Sequence, residues 1–195
     1  MEKTFSQLEL IQEELARLKN TSILDRAIYL LTQTKYVKLS VNMSDENILR
    51  ATCICEDITE SGKLENPLQL TELIELLFED FLRVVREEEK YETLYNRLEA
   101  RETPHRNTLF VNHSLLEEFP CYDDATSEIA VTLMRKNALK GELILCDLAK
   151  INPSHQFALE SIIEIILTDF IREYYDAKGE RGKIIKNILR RLLIS

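Results

Sequence analysis

The sequence predicts an α+β fold, in which a central antiparallel sheet of about five strands carries helices on both faces and amphipathic helices at the chain ends. Three observations lead to this prediction. Segments of alternating apolar and polar residues indicate strands, and longer segments with apolar residues at helical spacing follow them. The order of hairpin and then helix also occurs twice, over residues 36–57 before Asn66 and over residues 128–147 before Asn152.

Length and composition favour one ordered domain. The 195 residues and the apolar fraction of 45% suffice for a sizeable core. The net charge of −9 argues against nucleic acid as a partner of the body, although residues 178–195 hold six basic residues and one acidic residue. No segment is apolar enough to span a bilayer and the N-terminus lacks a signal core, so we expect a cytoplasmic protein.

The two ends of the chain are predicted to be amphipathic helices. Leu15 and Leu18 share one side of a first helix, which suits the seam of a homodimer. We therefore divide the chain into N-terminal helices over residues 1–34, an α+β domain over residues 35–177 and a basic helix over residues 178–195. The basic helix fits docking on the acidic body, pairing with a second copy, or contact of residues 183–194 with an anionic membrane.

The first hairpin is predicted from alternation. Residues 36–43 form a half-buried strand, residues 44–47 form a turn, and residues 48–57 form the return strand. Cys53 and Cys55 then share one strand face as small apolar residues, since a single intervening residue is poor spacing for zinc. After it, Asn66-Pro67 predicts the start of a helix that continues as one element, or as two with a break near Glu88.

The second hairpin is predicted over residues 128–135 and 141–147. Both faces of these segments are apolar, which places them in the middle of a covered sheet. A helix follows from Asn152, with His155 as a surface residue in its first turn. Duplication and convergence both remain open as explanations of the repeat, because the helices differ in length before their matching Asp-Phe pairs.

Residues 108–175 resemble the second half of a GAF domain, and in outline the resemblance extends over residues 10–176. The elements that carry it are a short strand at 109–112, a helical turn at 115–119, a hairpin at 129–133 and 141–145, and Phe157 at the start of a final helix. The cyclic-nucleotide signature of that family is not recognisable here. Other profilin-like sheets, of the longin or roadblock type, share much of the pattern.

The resemblance implies a ligand pocket beside the loop that follows the short strand. Its candidate ligand-binding residues are Asn112, His113, Cys121, Tyr122, Asp123 and Asp124. Some relatives in the family, the free methionine sulfoxide reductases, use loop cysteines as nucleophiles, and His113 is a candidate to assist Cys121 in that role. The neighbouring aspartates disfavour a thiolate, so the alternative is a packed loop cysteine.

The expected function is a non-enzymatic regulatory or sensory module. It binds a small ligand or a protein partner and signals through its terminal helices, as the GAF resemblance implies. Two alternatives stay open: a ligand-free protein–protein adaptor and a thiol-dependent enzyme that uses Cys121. No motif in the sequence identifies a cofactor.

Overall fold

The computed structural model describes residues 4–19, 33–87, 90–102, 110–111, 114–115 and 125–193. This part of the chain is mostly helical, with seven helices and two antiparallel sheets of two strands each. The predicted α+β fold with a five-stranded sheet covered on both faces is therefore wrong. In chain order the elements are α1 (Leu10–Lys19), β1 (Tyr36–Ser44), α2 (Asp45–Gly62), α3 (Leu70–Glu87), α4 (Tyr91–Glu102), β2 (Phe110–Val111), β3 (Ser114–Leu115), β4 (Thr126–Met134), α5 (Arg135–Ile151), α6 (Leu159–Asp176) and α7 (Arg181–Leu192).

Both predicted return strands are helices, α2 and α5. The buried residues of α2 are Ala51, Ile54, Cys55 and Ile58, whose spacing of three, one and three residues describes one face of a helix. The strand predicted over residues 48–57 rests on alternation, and the alternating positions Ala51 and Cys55 also belong to this helical face. Packing of that face decides between the two structures.

No turn separates β1 from α2. The Ser44 side chain caps α2 by accepting a hydrogen bond from the backbone N–H of Asn47 at 3.2 Å. Serine, aspartate and asparagine are common both in turns and at the start of helices, so the segment at residues 44–47 fits either structure. The chain therefore passes directly from strand to helix, and β1 has to find a partner elsewhere.

That partner is β4. The two strands pair antiparallel, with Tyr36 opposite Met134, Ser40 opposite Ala130, and Ser44 opposite Thr126. The strands predicted to lead the two hairpins are thus correctly placed in the sequence, but they pair with each other. On the other edge of β1, the Gln7 side-chain amide donates to the carbonyl of Ser40 and accepts from its N–H, both at 3.1 Å.

Residues 36–102, here called unit 1, and residues 126–192, here called unit 2, have the same order of elements, a strand followed by three helices. Corresponding residues lie 90 positions apart in the strand, the first helix and the third helix, and 89 apart in the second helix. Ser40 and Ala130 are equivalent and face each other, so an approximate two-fold axis passes between them. Identical pairs include Val41/Val131, Asn47/Asn137, Ile54/Ile144, Asp57/Asp147, Ile74/Ile163, Glu75/Glu164, Asp80/Asp169, Phe81/Phe170, Arg83/Arg172 and Arg101/Arg191.

Contacts between the units are reciprocal. The backbone N–H of Asp45 donates to Ala125, and that of Arg135 donates to Lys35, each at 2.9 Å. Each second helix covers the other unit's strand, since α3 packs on β4 and α6 packs on β1. The buried apolar side chains form one cluster that spans both units. The reciprocity favours duplication over convergence as the origin of the repeat.

Side-chain pairs across the interface repeat the same symmetry. Arg101 pairs with Asp169 at 3.1 Å, and the equivalent Arg191 pairs with Asp80. The two equivalent asparagines also bond to equivalent positions, because Asn47 donates to Thr168 at 3.1 Å and Asn137 donates to Glu79 at 2.9 Å. Partly buried pairs of this kind fix the register of one unit against the other.

The long predicted helices are present but start later. α3 begins at Leu70 and α6 at Leu159, so both Asn-Pro pairs lie in the connections before them. At α3 the side chain of Glu72 accepts from the backbone N–H of Gln69 at 2.9 Å and so caps the start of the helix. The break predicted as one option near residue 88 exists, because α3 ends at Glu87 and α4 begins at Tyr91.

The terminal helices are held by polar contacts to the body. The carboxylate of Glu142, on α5, is buried and accepts from the backbone N–H groups of Leu10 at 3.2 Å and Ile11 at 2.8 Å, which satisfies the first turn of α1. The basic helix α7 packs on α2 and α6 with Ile188 buried. No helix in the described ranges combines the length and apolarity needed to cross a membrane.

Candidate functional site

The six residues predicted to bind a ligand cannot be placed. Asn112, His113, Cys121, Tyr122, Asp123 and Asp124 all lie outside the described residues. The prediction of a pocket there, and the thiol chemistry suggested for Cys121, therefore stay predictions.

Two other sequence predictions can be placed, and both are wrong. His155 is buried rather than exposed: its Nδ1 accepts from the N–H of Phe157 at 3.1 Å and its Nε2 lies 3.2 Å from the carbonyl oxygen of Leu145. Cys53 and Cys55 do not share a face, because they lie on a helix where Cys55 is buried and Cys53 is exposed. Burial raises the pKa of Cys55 to about 12, with Glu72 and Glu56 adding to the shift, so this thiol stays protonated at neutral pH.

A concave feature with a mixed polar and apolar lining lies between the two units. This open cleft has a volume of about 610 Å³ and is formed by α3 and the start of α4 from unit 1 and by α5 from unit 2. The described residues that line it are Glu79, Leu82, Arg83, Val85, Arg86, Tyr91, Asn137, Lys140, Leu143, Ile144 and Asp147. Helical spacing along α5 brings Lys140, Ile144 and Asp147 onto the same face.

Polar groups in the open cleft are held by defined partners. Asn137 donates to Glu79 at 2.9 Å, and Asp147 accepts from Lys150 at 2.6 Å. Tyr91 also hydrogen-bonds to Asp147, and burial together with this carboxylate raises the pKa of the Tyr91 hydroxyl. Asp147 is therefore the centre of a small polar cluster beside an apolar wall.

The approximate two-fold axis produces an equivalent position at α2, α6 and the start of α7, here called the filled cleft. Tyr174 and Tyr175 occupy it. The hydroxyl of Tyr174 donates to Asp57 at 2.7 Å, and the guanidinium of Arg50 lies 5.4 Å from the ring centre of Tyr175. Arg181 lies 5.3 Å from both ring centres and closes the outer side.

Two substitutions between the units explain why one cleft is open. Val85 stands at the position of Tyr174, and Arg86 stands at that of Tyr175. As a result Ile144 is only partly buried in the open cleft, whereas its equivalent Ile54 is 0% exposed in the filled cleft. The open cleft is thus the space that two aromatic rings occupy in the other unit.

The open cleft is not among the sites predicted from the sequence, although one sequence signal points to it. The Asp80-Phe81 and Asp169-Phe170 pairs align α3 with α6, and four residues beyond each phenylalanine the pattern changes from Val to Tyr. Alignment on the Asn-Pro pairs hides this change, because those pairs lie in connections that are displaced by three residues. Asp147 and the end of α3 belong to different units, which the antiparallel pairing of β1 with β4 brings together. The sequence does not specify this pairing.

Comparison with known proteins gives no independent guide. No family model matches the chain, and neither a curated protein nor a solved structure matches it. Within the described ranges, no group of three or more histidine, cysteine, aspartate or glutamate residues is arranged to hold a metal ion.

Proposed function

We propose that the protein is a non-enzymatic binding module with a regulatory or sensory role, and that it takes a small ligand in the open cleft. The observation that carries the proposal is the contrast between equivalent positions, of which one is filled by side chains and the other keeps about 610 Å³. This volume is within the range of about 300–1,000 Å³ that is usual for ligand pockets. An apolar wall beside a few fixed polar groups is also the usual composition of such pockets.

The helices around the open cleft supply a route for a response. α4 begins at the cleft with Tyr91 and carries Arg101, which pairs with Asp169 of unit 2. α5 carries Glu142, which caps the N-terminus of α1. A ligand that shifts α4 against α5 therefore acts both on the unit interface and on a terminal helix, and we propose that this is how binding is reported.

The proposed partner of α1 is a second copy or another protein. Leu15 is 43% exposed and Leu18 is 63% exposed, and they lie one helical turn apart. The same face supports the alternative of a ligand-free adaptor. We also propose a cytoplasmic location, because Cys53, Cys55 and Cys146 are free thiols and fit a reducing compartment.

The test compares native and denaturing mass spectra of the purified protein. A closed variant carries Val85→Tyr and Arg86→Tyr, which reproduce in unit 1 the side chains of the filled cleft. Lys186→Tyr is the control, because it adds a tyrosine at an exposed position of α7 that lines neither cleft. We expect excess mass in the native spectra of wild type and control, absent after denaturation and absent from the closed variant.

A second measurement covers a ligand lost during purification. A metabolite library is expected to contain a compound that raises the Tm of wild type and of the control, but not that of the closed variant. Clean apo masses together with no thermal shift in wild type would overturn ligand binding and leave the adaptor. The native spectra also report whether the chain is a dimer.

A further inference from the structure

We propose that the open cleft binds a phenolic ring, whose hydroxyl donates to Asp147 and whose face lies against the ammonium group of Lys140. This inference rests on the proposed function and names the ligand class of the same site. Its basis is the filled cleft, where the protein places its own phenolic rings in the equivalent space.

The open cleft lacks the two rings that occupy the filled cleft. Val85 lies at the position equivalent to Tyr174, and both residues are buried, so unit 1 lacks a buried phenol ring at this position. Replacing the Tyr175 position by Arg86, which is exposed, leaves the adjoining volume open to solvent. Leu82, Val85 and Ile144 remain as an apolar wall, which suits the face of a planar ring.

Asp147 offers a hydrogen-bond acceptor in the open cleft. Asp57 accepts the hydroxyl of Tyr174 at 2.7 Å, and Asp147 is its equivalent in the open cleft. Asp147 already accepts from Lys150 and Tyr91. A carboxylate has about four acceptor positions, and the side chain of Asp147 is 36% exposed, so it has room for a further donor.

Lys140 offers a cation in the open cleft. Arg50 lies over the ring of Tyr175 at 5.4 Å from its centre, and the equivalent residue in the open cleft is Lys140. An ammonium group over an aromatic face is attracted by the ring's negative surface. In the filled cleft these contacts are divided between two neighbouring rings, because Tyr174 bonds to Asp57 while Tyr175 lies under Arg50. A neutral phenol in the open cleft meets the equivalent acceptor and cation beside an apolar wall.

The experiment is an NMR titration of the full-length protein with p-cresol, which is the tyrosine side chain as a free molecule, and with toluene, which lacks the hydroxyl. We expect p-cresol to shift signals of residues around the open cleft and to bind about tenfold or more tightly than toluene, because its hydroxyl donates to a charged acceptor. Equal affinity of the two compounds, or p-cresol shifts that map elsewhere, would overturn the inference.

Variants test each part separately. Asp147→Ala is expected to lower the affinity for p-cresol to that for toluene, and the closed variant is expected to bind neither. Tyr174→Val with Tyr175→Arg should open the filled cleft and raise the p-cresol stoichiometry from one to two. Retention of p-cresol affinity in Asp147→Ala would contradict the assigned acceptor, and circular dichroism confirms that each variant is folded.

The phenol has two sources, a small molecule or the tyrosine of a partner, and the site is proposed for the small molecule. A pentapeptide with a central tyrosine between alanines distinguishes them, because tighter binding of the peptide than of p-cresol would overturn that assignment. Failure of the phenol assignment can also be distinguished from failure of the proposed ligand binding. A ligand of another class that is lost in the closed variant would sink the phenol and keep the binding function.

Discussion

Tyr174 is the side chain on which the filled cleft depends. Its ring is 2% exposed, and its hydroxyl donates to Asp57 while Arg181 lies over the ring. Burial and the neighbouring carboxylate raise the pKa of Tyr174 from its ordinary value of 10.0 to about 12. The folded protein therefore keeps this proton at a pH where the unfolded chain has lost it.

Because its pKa is raised on folding, the Tyr174 hydroxyl contributes stability that is lost at high pH. Below about pH 10 the hydroxyl is protonated in both states and its contribution to stability is complete. As the pH rises from about 10 to about 12, the unfolded chain ionises first, so this contribution is lost over that window. Absorbance of tyrosinate against pH should show a late-titrating component that Tyr174→Phe removes. A variant that loses a component near pH 10 instead would contradict the assignment.

Individual residues also show why the sequence interpretation failed where it did. The alternation of residues 36–43 and the apolar segment at residues 128–135 correctly predict β1 and β4. The residues of α2 allow two periods, and only the packed face formed by Ala51, Ile54 and Ile58 decides between them. His155 has the sequence position of a surface residue near a helix start, yet its ring stacks against those of Phe5 and Phe157.

At the scale of elements, α3, α6 and α7 follow from the sequence because their apolar spacing is long and regular. Pairing does not follow, since β1 and β4 lie far apart in the sequence and nothing local specifies which strand joins which. The open cleft is built from both units, so it depends on that pairing. The sequence also predicts residues 141–147 as a strand and residues of α3 as a helix, so nothing in it groups the residues of the site.

Gly141 lies where the side chains of Leu159 and Phe78 pack closely against the backbone of α5. A Cβ at this position would meet Cδ1 of Leu159 at 2.6 Å and Cζ of Phe78 at 2.8 Å. The equivalent residue of α2 is Ala51, so the close approach is specific to unit 2. Glycine therefore has a packing role inside a helix where alanine would otherwise be preferred.

Gly141→Ala is expected to destabilise the protein by about 1–2 kcal/mol, because overpacking outweighs the gain in helix propensity. Gly182→Ala is the matched control, since its added Cβ meets nothing within 4 Å and it lies in α7. That control should be neutral or stabilising by up to about 1 kcal/mol. Urea denaturation measures both, and a stabilised Gly141→Ala would show that Leu159 and Phe78 move aside freely.

At the scale of the whole molecule, the two units share one hydrophobic core. α3 covers the strand of unit 2 and α6 covers the strand of unit 1, while Arg101 and Arg191 pair with aspartates across the interface. Separating the units would break the β1–β4 pair, uncover the strand surfaces on which α3 and α6 pack, and remove the aspartate partners of Arg101 and Arg191. Folding of one unit therefore depends on folding of the other.

Calorimetry should accordingly show one cooperative transition, with equal calorimetric and van't Hoff enthalpies. A chain limited to residues 126–195 should be unfolded alone, as judged by near-ultraviolet circular dichroism, and should gain structure when mixed with residues 1–125. Two resolved transitions in the intact protein, or a folded isolated unit, would contradict the shared core.

The Gln7 amide on the edge of β1 has a consequence for the protein in a crowded solution. A two-stranded ribbon is a template onto which strands from other molecules can add, and such addition leads to aggregation. By bonding to both the N–H and the carbonyl of Ser40, Gln7 occupies the place that the first residue of an intruding strand would take. Gln7 therefore hinders the pairing of this edge of β1 with a strand from another molecule.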